Sequence, residues 1–209
     1  YVCESRDNKV KHYNYGKDYI IWSAERSLKE LKTEYLDLFL LHRPSPLMHP
    51  QEVAAALGEL MESGKVRSFG VSNFTPSQIA LIEKEIPVSA NHVEFSLTAH
   101  SVMFDGTLDD VLLKDRLLMS WSPLGSYFRE KSEKRKRIKK AIKPLKKKYK
   151  ASTSQLLLAW ILRHPAKAYP VVGTTSPDRL KESIQAVDLN MELEDWFTLL
   201  TASQGHKVP

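Results

Sequence analysis

Polar residues stand at the ends of apolar segments along this chain, where they could serve catalysis or binding. The first is His42, which directly follows the apolar run Leu38–Leu41 and is itself followed by Pro44 two residues later. Such a run is typical of a parallel strand buried on both faces, and the proline ends it. The histidine then lies at the carboxyl end of the strand, where barrel enzymes place their chemistry. A structural histidine bonded to the backbone is the alternative interpretation.

Four later apolar segments also end in polar or small residues. Because parallel strands align their carboxyl ends on one face of a sheet, we expect these residues to share a rim with His42. A shared rim is the arrangement that an active site at the strand ends requires. The groups are Ser72-Asn73, Asn91-His92, Trp121-Ser122 and Gly173-Thr174-Thr175.

Short apolar segments alternate with helix-like segments between these groups, which predicts βαβ units and an α/β fold with a parallel sheet. A closed (β/α)8 TIM barrel needs eight strands and typically about 250 residues. We count five strand candidates and therefore expect an incomplete barrel made of its C-terminal five strands and their helices. The candidates are Leu36–Leu41, Ser68–Val71, Val88–Val93, Leu117–Trp121 and Ala168–Val172.

Capping signals predict where several helices begin and end. Pro50 suits a first helical position and Gly64 a C′ position, while Thr75 and Ser152 each start a capping box. A further helix is expected to begin at Ser176 and another near Glu192. A helix over residues 18–31 is expected to bury one side, formed by Ile20, Ala24, Ser27, Leu28 and Leu31.

Length and composition indicate an ordinary globular protein. The 209 residues suit one domain, 1–209, and the single Cys3 cannot form an internal disulfide, which favours a reducing compartment. No apolar run approaches 18 residues and no leader pattern is present, so we expect a cytoplasmic location and no membrane partner. Because the chain starts at Tyr1 rather than Met, we expect an upstream part to exist or to have been removed.

Three stretches together resemble the aldo-keto reductase family. They are Leu40–Pro44, Gly64–Phe74 and Ser122–Gly125, in the family's order and spacing. The resemblance runs from about Lys11 to the C-terminus and looks most like a bacterial branch of oxidoreductases that carries Trp-Ser before Pro-Leu-Gly. It implies a barrel enzyme that uses NADP(H) to reduce a small aldehyde or ketone to the alcohol.

The resemblance also implies roles for individual residues. His42 matches the histidine that holds and polarises the substrate carbonyl oxygen, and Arg179 matches the arginine that favours the 2′-phosphate of NADPH. Ser72 and Asn73 match the pair that binds the nicotinamide carboxamide, and Trp121 matches the ring stacked on the nicotinamide. The remaining matches are Ser122, Pro123, Leu124 and Gly125 along the pyrophosphate, Gly173, Thr174 and Thr175 at the phosphate turn, and Glu182 and Ser183 at the adenine.

Some of these residues also have purely structural interpretations. Ser72-Asn73 could be a strand-end turn, Trp121 a core residue, and residues 173–177 a helix cap. Two departures from the family stand out: His92 replaces a glutamine that reaches the carboxamide, and Ser183 replaces an asparagine. We still count His92 among the cofactor-binding candidates, because a neutral imidazole can donate one hydrogen bond.

The family's catalytic tetrad of Asp, Tyr, Lys and His is matched here only by His42. Tyr13, Tyr15, Lys11 and Asp18 are not in the matching positions. Since general acid catalysis contributes about 10²–10⁴-fold, we expect the 209-residue chain by itself to be nearly inactive. The chain would then be the C-terminal five-eighths of a reductase, able to self-associate through open sheet edges. A non-catalytic, nucleotide-binding redox sensor or regulatory subunit is the alternative.

Most of the positive charge lies in one segment, residues 129–150. It contains 13 Lys/Arg and two acidic residues, and the remainder of the chain has a net charge of −5. Ile138, Ile142, Leu145 and Tyr149 recur at helical spacing, which favours a helix with one packed side and one solvated side. Some of its basic residues could instead approach cofactor phosphates. Nucleic-acid binding is the least favoured interpretation, because no aromatic residues are interleaved. No cluster has metal-ligand spacing, so we predict no metal.

Overall fold

The computed structural model describes residues 9–207, and within them it contains five strands that alternate with eight α-helices. This alternation confirms the α/β class and the number of strand candidates. Cys3, on which the expectation of a reducing compartment rests, lies outside the described residues. The chain divides into two compact units. The first comprises the residues up to His92 together with Lys114–Leu117, and the second comprises the rest.

The first unit is built on three parallel strands with helices between them. Strand β1 pairs with β2, and β2 pairs with β3, so that Ser72 stands opposite His92. Gly70 of β2 has no room for a side chain, since a Cβ there would lie 2.7 Å from Leu40 Cδ2. The elements are α1 (Lys17–Leu31), β1 (Leu36–Leu41), α2 (Pro50–Glu62), β2 (Val66–Ser72), α3 (Pro76–Ile82) and β3 (Ala90–Glu94), of which Val93 and Glu94 belong to the second unit.

The second unit packs its helices around a core that contains two stacked indoles. The rings of Trp160 and Trp196 lie 4.9 Å apart, and each indole N–H donates to the backbone carbonyl of the other residue. Strand β4 pairs with β5 in parallel. The elements are α4 (Thr107–Lys114), β4 (Leu117–Trp121), α5 (Glu133–Lys148), α6 (Thr153–Leu162), β5 (Tyr169–Pro170), α7 (Pro177–Ile184) and α8 (Leu193–Gln204), with short 3-10 helices at Ser101–Met103 and Gln185–Asp188. Of these residues, Lys114 and Leu117 belong to the first unit.

The predicted helix ends are confirmed. Thr75 and Ser152 each form a complete capping box. The hydroxyl of each accepts a hydrogen bond from the backbone N–H of the glutamine three residues later, and the side chain of that glutamine accepts one from the backbone N–H of the capping residue. Pro50 and Pro177 occupy first helical positions. Gly64 has φ +72°, the left-handed conformation expected just after a helix.

Several details of the sequence prediction are wrong. Strand β2 is Val66–Ser72 instead of Ser68–Val71, and β3 is Ala90–Glu94 instead of Val88–Val93. Strand β5 covers only Tyr169–Pro170 instead of Ala168–Val172, although the Val171 N–H still donates to the Ser120 carbonyl of β4 at 2.8 Å. Strand β1 is not buried on both faces, because Leu41 alone is buried and Asp37 is exposed. Leu31 is 66% exposed, since it ends α1 instead of facing the core.

The basic segment forms α5, as predicted. Its apolar side buries Ile138, Ile142 and Leu145, and Tyr149 caps its C-terminus. The Tyr149 hydroxyl donates to Asp195 Oδ2, which fixes this end of α5 to α8. No helix within residues 9–207 has the length and apolar character needed to cross a membrane. Closure of the strands into a barrel, and a single domain over 1–209, stay predictions.

Candidate functional site

Three of the predicted residues are joined by hydrogen bonds in the first unit. Ser72 ends β2 and stands opposite His92 of β3. The Ser72 hydroxyl donates to the His92 carbonyl at 2.8 Å, and Asn73 Nδ2 donates to Ser72 Oγ at 2.8 Å. Asn73 adopts φ +60°, a left-handed conformation that asparagine tolerates better than most residues. The structure therefore brings Ser72, Asn73 and His92 together at the strand ends.

Two buried polar atoms beside this network have no hydrogen-bond partner. Asn91 is fully buried, and its Nδ2 donates to the Phe74 carbonyl at 3.0 Å, but its Oδ1 has no partner within the described residues. The same holds for Nε2 of His92. An unsatisfied buried polar atom costs about 1–3 kcal/mol, so a pair of them beside a strand-end network is typical of a ligand site. Asn91 was predicted to lie at this rim together with His92, but no binding role was assigned to it.

His42 lies just beyond β1, where the sequence placed it. Partial desolvation, followed by the positive charges of Arg43 and Lys11, lowers the pKa of His42. Burial, followed by the proximity of His42 and Arg43, lowers the pKa of His92. Since an unperturbed histidine has a pKa near 6.5, both rings are neutral at pH 7. Each neutral ring carries one N–H donor and one acceptor nitrogen.

Two tyrosines support the backbone next to His42, and the sequence analysis assigned them no role. The Tyr15 hydroxyl donates to the Arg43 carbonyl and accepts from the Arg43 backbone N–H. Burial raises the pKa of Tyr15 to about 12, so this phenol stays protonated. The ring of Tyr13 packs edge-on to His42 at 6.2 Å between centroids. No local sequence signal links Tyr15 to a residue 28 positions away.

In the second unit, the loop after β4, the turn after β5 and helix α7 line one cleft of about 590 Å³. Its walls contain most of the predicted cofactor residues of this unit. Thr175 does not line the cleft, but it lines a neighbouring hollow together with Arg179. Trp121 is half-buried at the end of β4 and does not line the cleft either. The predicted residues in the cleft walls are Ser122, Pro123, Leu124, Gly125, Gly173, Thr174, Arg179, Glu182 and Ser183.

The loop after β4 is held in an unusual backbone conformation. Ser122 has φ +49° and Gly125 has φ +56°, both in the left-handed region. The backbone N–H of Ser126 donates to Thr98 Oγ1 at 2.9 Å, and the amine of Lys134 donates to the Thr98 carbonyl at 3.1 Å. Thr98 therefore holds this loop in place through the hydrogen bond to Ser126. Nothing in the sequence indicated that role.

The amino end of α7 offers few free N–H groups to a ligand. Pro177 has no N–H, and the N–H of Arg179 donates to the capping hydroxyl of Ser176 at 3.4 Å. The Ser183 hydroxyl donates to the Arg179 carbonyl at 2.8 Å, within the same helix. An anion in this cleft would therefore depend more on arginine side chains than on the helix end.

Five residues of the cleft wall were not predicted, and Arg129 is the most informative of them. Its guanidinium donates to the Gly125 carbonyl at 3.1 Å, so it braces the same loop that carries Ser122 and Gly125. Arg129 is the first residue of the basic segment and lines the cleft. That basic residues of this segment approach cofactor phosphates stays a prediction. The only available signal was its position four residues after Gly125. The unpredicted lining residues are Phe128, Arg129, Ser154, Val171 and Val172.

The charge of the cleft favours an anionic ligand. Arg129 and Arg179 both line it, and Glu182 is the single acidic residue in its wall. Guanidinium groups bind phosphate and carboxylate through paired hydrogen bonds. Within residues 9–207, no group of three or more His, Cys, Asp or Glu side chains is placed to hold a metal ion.

Comparison with known proteins gives a consistent result. A family model described as the aldo/keto reductase family matches residues 6–201. An uncharacterized oxidoreductase of Bacillus subtilis, YcsN, is 39% identical over 207 residues, covering 97% of this chain and 69% of that protein. A 6-dehydroglucose reductase of Agrobacterium fabrum is 36% identical, covering 96% and 68%. The crystal structure of the thermostable aldo-keto reductase Tm1743 in complex with epalrestat matches with a TM-score of 0.81 and 26% identity, covering 90% and 67%.

Proposed function

Because the chain belongs to the aldo/keto reductase family of oxidoreductases, we propose that it binds NADP(H) and acts in the reduction of a small aldehyde or ketone to the alcohol. The observation that carries this proposal is the cleft of the second unit. Nine of the residues expected to bind the cofactor line that cleft, Arg179 among them, and Arg129 adds a second arginine. The name of the Agrobacterium relative, a 6-dehydroglucose reductase, supports a small polar carbonyl compound as the substrate class.

The residues of the cleft fit the phosphate part of a dinucleotide. Arg129 and Arg179 supply the positive charge, and Arg179 is the residue assigned to the 2′-phosphate. Open space surrounds Gly173, where a Cβ would meet no atom within 4 Å. A phosphate group can therefore approach the backbone of the turn after β5 closely. Glu182 and Ser183 are assigned to the adenine, although the Ser183 hydroxyl is already bonded within its helix.

The strand-end network of the first unit fits a primary carboxamide. Such a group carries two N–H donors and one carbonyl acceptor. The unpaired Oδ1 of Asn91 can accept one of the donors, and Ser72 Oγ has a remaining lone pair that can accept another. The neutral ring of His92 can supply a donor to the carbonyl through Nε2, whose burial without a partner fits this role. The network and the ligand group thus match in number and type of hydrogen bonds.

Bound NADPH supplies the hydride in this chemistry. His42 is assigned to the substrate carbonyl oxygen, to which a neutral imidazole N–H donates a hydrogen bond that orients and polarises the carbonyl. The lowered pKa of His42 keeps the ring in that neutral form at pH 7. We assign no proton donor among residues 9–207, and the pKa of about 12 for Tyr15 argues against that phenol.

Two measurements on the purified protein test the proposal. The first is NADPH binding, monitored by the quenching of tryptophan fluorescence. The variant Trp121→Phe shows how much of the quenching comes from the ring that is assigned to the nicotinamide. The second is NADPH oxidation in the presence of a small aldehyde, measured with any upstream part of the protein included, because residues 1–209 match only His42 of the catalytic tetrad and are expected to be nearly inactive by themselves. Binding with turnover supports the reductase, and binding without turnover supports the nucleotide-binding sensor or regulatory subunit. Absence of any NADPH binding would contradict both.

A further inference from the structure

Eight of the 13 basic residues of segment 129–150 form two groups. One group holds the fold together. Arg137 donates to the carbonyls of Ala202 and Ser203, and Lys134 donates to the carbonyl of Thr98. Lys148 pairs with Glu192 and Asp195 at 2.8 and 2.7 Å, and these hydrogen bonds raise its pKa. These cations have structural partners, so their presence needs no ligand.

The other group is a row of lysines on the outer face of α5, which we call the lysine stripe. All five side chains are exposed, and none forms an ion pair with any of the described residues 9–207. With 3.6 residues per turn, the five fall within about 120° of the helix circumference and span about 12 Å of its axis. The lysine stripe consists of Lys139, Lys140, Lys143, Lys146 and Lys147.

Stability does not account for the lysine stripe. Lys139, Lys143 and Lys147 follow one another at i, i+4 spacing, and like charges at that spacing destabilise a helix. A helix face that is merely exposed to solvent can carry both positive and negative side chains. Acidic residues are available to this chain, since outside segment 129–150 they outnumber the basic ones. Glu133, the single acidic residue within α5, pairs with Lys136 at 2.6 Å and leaves the stripe unopposed. An external anion would relieve the repulsion.

The structure of α5 limits what kind of anionic partner fits. Its apolar side buries Ile138, Ile142 and Leu145 in the core, so it has no apolar face to insert into a lipid bilayer. The stripe contains no aromatic side chain on which the bases of a single strand could stack. A straight row of point charges instead suits a row of phosphates. Duplex DNA carries one negative charge per about 1.7 Å of its axis, so about 12 Å of duplex, the length of the stripe, carries about seven phosphates on its two strands together.

We propose that the lysine stripe binds the phosphate backbone of double-stranded nucleic acid, independently of base sequence. This function is separate from the cofactor cleft and does not depend on the proposed reductase activity. Because lysine contributes charge without a planar hydrogen-bonding fork, binding is electrostatic and weakens steeply as salt increases.

Fluorescence anisotropy with short labelled duplexes of mixed sequence, one of DNA and one of RNA, tests the proposal. If all five lysines contact phosphates, the slope of log K against log salt is about −4.5. The triple variant Lys139→Gln, Lys143→Gln and Lys147→Gln should bind roughly tenfold or more weakly at low salt, with a slope less steep by about 2.7. Binding of either duplex supports the proposal, and the preferred duplex identifies the source of the phosphates.

A matched control separates the lysine stripe from net charge. Lys29→Gln, Lys32→Gln and Lys84→Gln change three exposed lysines of the first unit and remove the same charge. This control should keep the affinity and slope of the unaltered protein. The proposal is overturned if the control loses as much affinity as the stripe variant, or if the unaltered protein binds neither duplex. Tighter binding to phosphatidylserine vesicles than to the duplexes would overturn it as well. Circular dichroism checks that both variants are folded.

Discussion

Gly125 lies so close to Thr98 that a Cβ on the glycine would come within 1.9 Å of Thr98 Oγ1. The same added atom would lie 2.5 Å from the hydroxyl of Ser96, and the backbone of Gly125 has φ +56°. Two independent constraints, space and backbone conformation, thus require glycine here. The loop after β4 can pack this closely against Thr98 in the cleft wall because residue 125 has no side chain.

Gly125→Ala should therefore displace this loop. We expect a loss of about 1–3 kcal/mol in the free energy of unfolding, from left-handed strain and the steric conflict. NADPH affinity should fall by about tenfold or more, because the displaced loop carries part of the cleft wall. Urea denaturation and a cofactor titration measure the two effects. Gly58→Ala is the control, because a Cβ on Gly58 in α2 meets no atom within 4 Å. Equal behaviour of the two variants would refute the steric argument.

Substitutions of the two arginines of the cleft should differ in their effects on NADPH and NADH affinity. Arg179→Ala should weaken NADPH by roughly tenfold to a hundredfold and leave NADH nearly unchanged, since the lost partner is the 2′-phosphate. Arg129→Gln should weaken both cofactors similarly, because Arg129 braces the loop at Gly125. Isothermal titration with both cofactors measures these ratios. If Arg179→Ala affects NADH as much as NADPH, the assignment to the 2′-phosphate is wrong.

The hydroxyl of Tyr15 should stabilise the segment that presents His42. Tyr15→Phe removes the hydrogen bonds that the phenol makes with both the carbonyl and the N–H of Arg43, in a half-buried place. We expect a loss of about 1–2 kcal/mol in unfolding free energy. The chemical shifts of the His42 ring should change as well. Tyr35→Phe is a suitable control, because Tyr35 is exposed and its ring packs under Arg67 without needing the hydroxyl. A Tyr15 variant as stable as this control would contradict the prediction.

A largely buried ion pair should make the free energy of unfolding of the first unit depend on pH in the acidic range. The side chain of Arg116 is 2% exposed and donates to both carboxylate oxygens of Glu83 at 2.7 Å. This hydrogen bonding is the main cause that lowers the pKa of Glu83. A carboxyl whose pKa is lower in the folded state stabilises the fold above its ordinary pKa, and the stabilisation is lost as the pH falls through the lowered value.

Unfolding free energy should consequently decline from about pH 4.5 downward, the ordinary pKa of this carboxyl. Glu83→Gln should flatten that decline, and urea denaturation at a series of pH values measures it. Arg116→Leu should cost about 3 kcal/mol at pH 7, because it leaves a partly buried carboxylate without its partner and frees the Val88 carbonyl. A pH profile that Glu83→Gln leaves unchanged would show that other carboxyls dominate.

Local rules explain the parts of the fold that could be predicted. The bounds of β4 are those predicted, Leu117–Trp121, and the capping boxes at Thr75 and Ser152 form as expected. A capping box depends on two residues three positions apart, and a strand of this kind depends on one apolar run. Strand β5 was predicted too long because an apolar run does not show where regular pairing with the neighbouring strand stops.

The sequence by itself determined the α/β class, the family, and which residues stand at the strand ends, because each depends on order and spacing along the chain. Tertiary structure alone decided how those residues are supported. It placed Tyr15 on Arg43, Thr98 under the loop at Gly125, and the carboxamide of Asn91 in a buried place with one atom unpaired. These relationships join atoms that are far apart in the chain or depend on what surrounds them after folding. Hydrogen-bond geometry and exclusion of water settle them, and neither leaves a pattern in the sequence.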